Sequence, residues 1–252
     1  MPEILKAAPG SFCWIEHASA EPAAAKAFYG ELLGWNWVDA HTMSDGSRYA
    51  MGQLRGVNVG GCTTLQGRRD VPPRWLSYLA VDDAGAAFDS ATRLGARALL
   101  PVEDVGSGRI GLLKDPGGAP FALWQARRSM GGWLYAENGA MCWNELVTGK
   151  VEGAAEFYAG LFGWQPGGDA STYVLFASDD DIIGGMLPTP KDRPDTPPQW
   201  VVYFQVPDTD AAVASTPRLK GSVVVPATEQ PGVGRWAVLR DPLGVMFGVL
   251  QR

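Results

Sequence analysis

The chain has 252 residues, a net charge of −6 at neutral pH and an isoelectric point near 5.0. It is 46% apolar with ten tryptophans, a composition that supports a sizeable globular core, and its acidic balance argues against nonspecific binding to nucleic acid or anionic membranes. No apolar run reaches the length of a membrane span, and the opening MPEILKAAPGS lacks the apolar centre of a signal peptide, so a cytoplasmic protein is expected.

In chain order, residues 12–18 read as a short strand. A helix is predicted over 22–33, with Ala24, Ala25, Phe28, Tyr29 and Leu32 at helical spacing, Pro22 in the first turn and Gly34 at the C-terminal cap. Alternation from Trp35 and Trp37 starts a second strand, and 47–53 and 57–64 supply two more. A connector, GRRDVPP, follows. Residues 75–81 then read as a strand and 83–94 as a helix opened by Asp83 and closed by Gly95. Strands near 97–102, 108–114 and 119–125 complete the unit, the last two joined by the turn Asp115-Pro116-Gly117-Gly118.

This βαβββ order is then written again. FCWIEHASAEPAAAKAFYGELLGW (12–35) and MCWNELVTGKVEGAAEFYAGLFGW (141–164) agree without a gap at Cys13/Cys142, Trp14/Trp143, Glu16/Glu145, Ala25/Ala154, Phe28/Phe157, Tyr29/Tyr158, Leu32/Leu161, Gly34/Gly163 and Trp35/Trp164. Gly60-Gly61 matches Gly184-Gly185, PPRWLSYLAVDD matches PPQWVVYFQVPD, and VGSGRIGLLKDPGGAPFALWQ matches PGVGRWAVLRDPLGVMFGVLQ. Residues 1–130 and 131–252 are therefore expected to be two copies of one domain, with modules at about 12–64, 75–125, 141–187 and 199–251. Pro217 falls inside the last predicted helix, which should be short or kinked.

Four βαβββ modules, a first strand followed by a helix carrying Phe-Tyr and Leu-x-Gly-Trp, and a closing Asp-Pro-x-Gly hairpin resemble the vicinal oxygen chelate superfamily, which holds glyoxalase I, extradiol dioxygenases and bleomycin-resistance proteins. The resemblance implies an α+β fold in which paired modules form two curved-sheet cups. It also implies a ligand, and in the enzymes a metal, on the concave face. Whether modules pair within a copy or across copies stays open. Aligned on Phe28-Tyr29, the family's first-strand metal position falls on Trp14 and Trp143. The matching position of the second modules is about Leu76 and Val201; the last-strand position is Ala122 and Gly248; the first modules' own equivalent is Gly60-Gly61 and Gly184-Gly185. None of these can ligate a metal. Of the two histidines, His17 has Leu146 as its repeat partner and His41 falls in a polar turn. No metal and no other cofactor is expected.

Strand alternation puts Glu16 on the face of Trp14, and Glu145 on that of Trp143, while Cys13 and Ile15 face the helix. The same phase brings Tyr78, Tyr203, Trp124 and Met246 to the cups, as candidate ligand-binding residues together with Trp14 and Trp143. Each Trp is either core or a stacking platform. Glu16 and Glu145 are either structural carboxylates, with Arg109 and Arg235 as possible partners, or ligand acceptors and catalytic bases with raised pKa values. The glycine runs 105–108 and 231–234 lead into strands and read as turns. The expected partner is an aromatic or polycyclic small molecule, bound without metal by a monomer or homodimer, as in natural-product resistance, carriage or biosynthesis. A metal-independent hydroxylase, cyclase or isomerase using Glu16 or Glu145, and a metal enzyme with displaced ligands, are the alternatives.

Overall fold

A computed structural model describes residues 7–42, 48–65, 71–128, 131–132, 134–179 and 181–252, without the side chains of 41 and 42. The first copy runs β1 (Phe12–Ser19), α1 (Pro22–Leu33), β2 (Asn36–Thr42), β3 (Arg48–Leu54), β4 (Val57–Thr64), β5 (Arg74–Ala80), α2 (Ala84–Arg93), β6 (Arg97–Asp104), β7 (Gly108–Lys114) and β8 (Pro120–Ala126). The second runs β9 (Met141–Thr148), α3 (Val151–Phe162), β10 (Gln165–Asp169), β11 (Tyr173–Ser178), β12 (Asp181–Pro188), β13 (Gln199–Gln205), α4 (Thr209–Arg218), β14 (Ser222–Gln230), β15 (Gly234–Arg240) and β16 (Met246–Gln251). Local chemistry sets the helix ends. Pro22 sits in the first turn of α1, Gly34 closes it with φ 73°, and the Asp83 carboxylate accepts from the backbone N–H groups of Gly85 and Ala86.

Each copy forms one eight-stranded sheet, in the orders β2-β3-β4-β1-β5-β8-β7-β6 and β10-β11-β12-β9-β13-β16-β15-β14. The strands of the two modules therefore pair within a copy, through the antiparallel contacts β1–β5 and β9–β13. The apolar layers do the reverse. Ile15, Phe28 and Tyr29 of the first module share a core with Phe204, Leu239 and Phe247 of the fourth. Phe121 and Leu123 of the second share one with Phe157, Tyr158 and Trp164 of the third. The helices thus lie between the two sheets, and the concave faces look outward.

Polar ties run along this seam, and they account for much of the repeated stretch. Tyr29 donates to Asp241 at 3.2 Å and Tyr158 to Asp115 at 3.2 Å. Each acceptor is the Asp of the other copy's closing hairpin, whose second oxygen holds the turn's own N–H groups. Trp35 donates to the carbonyl of Gly139 and Trp164 to that of Gly10. His17, buried, adds a 2.8 Å contact to Asp241. Removing one partner of such a buried bond costs about 1–3 kcal/mol, because the other is left without water or replacement.

Several expectations are corrected. The β1–β5 register shifts between Phe12 and Trp14, so Cys13 sits in a bulge and its thiol joins the concave-side cluster rather than the helix side. Cys142 lies at the same bulge in β9. α4 is ten residues long, as is α2, because Pro217 occupies its last turn, where little helix remains to be broken. His41 belongs to β2, opposite Tyr49, and not to a turn. Residues 67–70 of the GRRDVPP connector lie outside the described residues.

Candidate functional site

Alternation along β1 and β5, with β1–β5 pairing, sets Trp14 opposite Tyr78 and Glu16 opposite Leu76 on the concave face. The parallel ladder to β8 then sets Tyr78 beside Ala122. A cavity of about 570 Å³ lies over this face. Trp14, Glu16, Tyr78 and Trp124 line it, together with Tyr49 and Met51 from β3.

Glu16 is held by hydroxyls. Tyr78 donates to its Oε2 at 2.9 Å, and Tyr49 hydrogen-bonds the same carboxylate. The Trp14 indole N–H donates to the Tyr49 oxygen at 3.0 Å. The second cup repeats the set. Tyr173 and Tyr203 donate to Glu145 at 2.8 and 3.0 Å, and Trp143 donates to Tyr173 at 3.1 Å. The glycine pairs give the room for this. A Cβ on Gly61 would stand 2.1 Å from the Tyr49 hydroxyl, and one on Gly185 would stand 1.9 Å from that of Tyr173.

Burial raises the pKa of both carboxyls, and the tyrosine hydroxyls oppose it; Arg74 opposes it further at Glu16 alone. Burial likewise pushes Tyr49, Tyr78 and Tyr203 up, so they stay protonated and act as donors. It pushes the thiols of Cys13, Cys62 and Cys142 up to about 12, which leaves no ready thiolate nucleophile among them.

All the sequence-predicted cup residues lie on the concave sides. Trp14, Tyr78 and Trp124 cluster in the first, and Trp143, Tyr203 and Met246 in the second. The arginines do not reach the carboxylates. Arg235 makes a two-point ion pair with Asp210, and Arg109 hydrogen-bonds Gln125 and approaches Asp83. Both point to the helix side, where strand alternation sends them. Sequence reasoning missed Tyr49 and Tyr173. A signal exists: each is the tyrosine of its copy's third strand, at the same 124-residue offset that relates Gly61 to Gly185.

The cups do not fit a divalent metal. The floor of each offers one carboxylate, already engaged by two tyrosines, while Leu76 and Ala122 or Val201 and Gly248 stand where further ligands would be needed. Among the described residues no three His, Cys, Asp or Glu side chains converge. No helix among them is long and apolar enough to cross a membrane.

Comparison with known proteins agrees with this architecture. Residues 14–124 match the glyoxalase-like domain and residues 141–249 the glyoxalase/bleomycin resistance protein/dioxygenase superfamily. The chain is 34% identical to CFP32 of Mycobacterium bovis, which carries a provisional glyoxylase name, over 100% of this chain and 98% of that protein. It is 30% identical to the anthracycline biosynthesis protein DnrV of Streptomyces peucetius, over 97% and 94% of the two chains. The Mn(II)-bound glyoxalase of Novosphingobium aromaticivorans superposes with a TM-score of 0.65 at 14% identity, over 96% of this chain and 82% of the other. The 2,3-dioxygenase LapB of Pseudomonas sp. KL28 does so with 0.65 at 13%, over 98% and 94%. With its sheets, its repeats and these full-length relatives in agreement, the chain belongs to the glyoxalase/bleomycin resistance protein/dioxygenase superfamily, as a two-domain, four-module member.

Proposed function

We propose that the first cup binds a flat aromatic small molecule and that no metal takes part. The observation that carries this reading is the 570 Å³ cavity, walled by Trp14, Tyr78 and Trp124 and furnished on its floor with one carboxylate that two tyrosines position. Rings stack on indole and phenol faces, and Glu16 supplies one oriented polar contact. DnrV and a second relative at 30% identity, DauV of a Streptomyces strain, are named for anthracycline biosynthesis, which supports a polycyclic aromatic ligand from natural-product metabolism. Titration with a dihydroxyanthraquinone, followed by tryptophan fluorescence, tests it. Saturable quenching in the micromolar range, unchanged by EDTA, is expected. Absence of saturable quenching, or its loss with EDTA, overturns the reading.

A second reading adds proton transfer. It rests on Glu16 lining an open cavity with a pKa that burial raises, which makes its carboxylate a stronger base than a free one. In this role Glu16 accepts a proton from an acidic C–H of the ligand, the electron pair stays on the ligand as an enolate, and the carboxylic acid returns the proton elsewhere on the same molecule. Exchange of ligand C–H for deuterium in D₂O, lost in Glu16→Gln, is the test.

A further inference from the structure

Three cations gather around the first cup, one of which, Arg74, also acts on the floor carboxylate Glu16. Arg74, Arg97 and Lys114 all line the cavity. Arg97 on β6 is directly opposite Lys114 on β7. Like charges directly opposite on neighbouring strands destabilise a sheet. Among the described residues, no carboxylate lies within ion-pairing distance of either. The second sheet avoids this arrangement. There Ser222 faces Arg240 in the equivalent rung, and Gln199, opposite Val147, stands where Arg74 stands opposite Ala18.

The cations are also gathered at one end. Lys114 pairs with Pro120 across the β7–β8 ladder, whereas Ile110 pairs with Trp124 and Glu103 at the other end. Four residues of strand separate the two rungs, about 13 Å. The wall charges are thus separated along the strands, with Arg74, Arg97 and Lys114 at one end and Glu103 at the other beside Trp124, while the floor carboxylate Glu16, opposite Leu76, lies toward the basic end.

We propose that the first cup is specific for an aromatic acid: a ring system laid against Trp14, Tyr78 and Trp124 with an anionic group, a carboxylate in the first instance, between Arg74, Arg97 and Lys114. The anion relieves the Arg97–Lys114 repulsion, which a neutral ligand leaves in place. The second cup, with one of the three cations, lacks this preference. The inference rests on the aromatic-binding reading above and narrows it.

Binding of an anthraquinone carboxylate is compared with that of its uncharged carboxamide, by tryptophan quenching at low and high salt. The carboxylate is expected to bind at least about tenfold tighter at low salt, the size of one charge-assisted hydrogen bond. Salt and the exchange Arg97→Ser, which installs the second sheet's residue, should each reduce that preference, with carboxamide binding kept. Arg97 is exposed, so the variant should fold; Lys114→Gln provides a second route to the same loss. Equal affinity for acid and amide in the wild type overturns the acid preference and leaves the aromatic cup standing. Failure of both probes to bind overturns both.

Discussion

At the floor of the first cup, Trp14, Tyr49, Glu16 and Tyr78 stand as Trp143, Tyr173, Glu145 and Tyr203 stand in the second, joined by the same hydrogen bonds. The walls part company. Register pairs Ile110 with Trp124 in the first sheet and Trp236 with Leu250 in the second, so the wall tryptophan changes strand. Glu103 opposite Ile110 is answered by Thr228 opposite Trp236. Trp14 is 8% exposed, while Trp143 and Tyr173 are more open. The shared floor is what two copies need merely to keep a carboxylate in a sheet. Ligand choice therefore lies in the walls, where the copies differ.

The largest expected effect that would sharpen this contrast is at the tryptophans. Trp14→Ala should cost about 3–5 kcal/mol of stability and remove ligand quenching, as for a buried aromatic cut to a methyl. Trp143→Ala, at a partly buried residue, should cost less and leave first-cup affinity unchanged; chemical denaturation and titration report both. Equal loss of binding in the two variants would break the distinction between the cups.

Next come the tyrosines. Tyr49→Phe and Tyr173→Phe each take one donor from a glutamate and the acceptor from an indole N–H. Each should destabilise by about 1–3 kcal/mol, and by similar amounts, since the floors match. Denaturation midpoints that differ widely would show that the floors are not equivalent.

A smaller, pH-dependent effect attaches to the carboxyls. Burial holds both above their ordinary 4.5, so as pH rises past that value the unfolded chain loses these protons first. The stability contributed at low pH is lost as pH climbs through the folded pKa, and no further beyond it. Glu16→Gln and Glu145→Gln should each flatten that decline, measured as denaturant stability across acid to neutral pH. The buried Asp115, also raised by desolvation, contributes the same sign in wild type and variants and cancels in the difference. The smallest effect separates the cups again. Arg74→Gln removes the cation that lowers Glu16, so the Glu16 carboxyl should titrate at higher pH, while Glu145 is unmoved; carboxyl-resolved NMR titration reads this directly.

Much of this was legible in the chain. Helix ends at Pro22, Gly34 and Asp83, the repeated modules and the face on which each Trp-x-Glu lies follow from spacing and alternation. Alternation failed at Cys13 and Cys142, because a bulge inserts a residue that no side-chain pattern announces. It could not name the partners of Glu16, because Tyr49 comes from a strand two places away in the sheet and from another part of the sequence. The pairing of Tyr29 with Asp241 was out of reach for the same reason: it depends on how two finished sheets meet.

That meeting has a consequence for how such a chain can change. Phe28, Tyr29, Trp35 and Asp241 on one side of the seam, and Phe157, Tyr158, Trp164 and Asp115 on the other, are tied to residues of the opposite half, so a substitution at any of them is felt by both. The outward faces carry no such obligation. Duplication thus divided the molecule into a locked interior and two independent palettes, on which one half can acquire charge or a new aromatic wall while the other keeps its own.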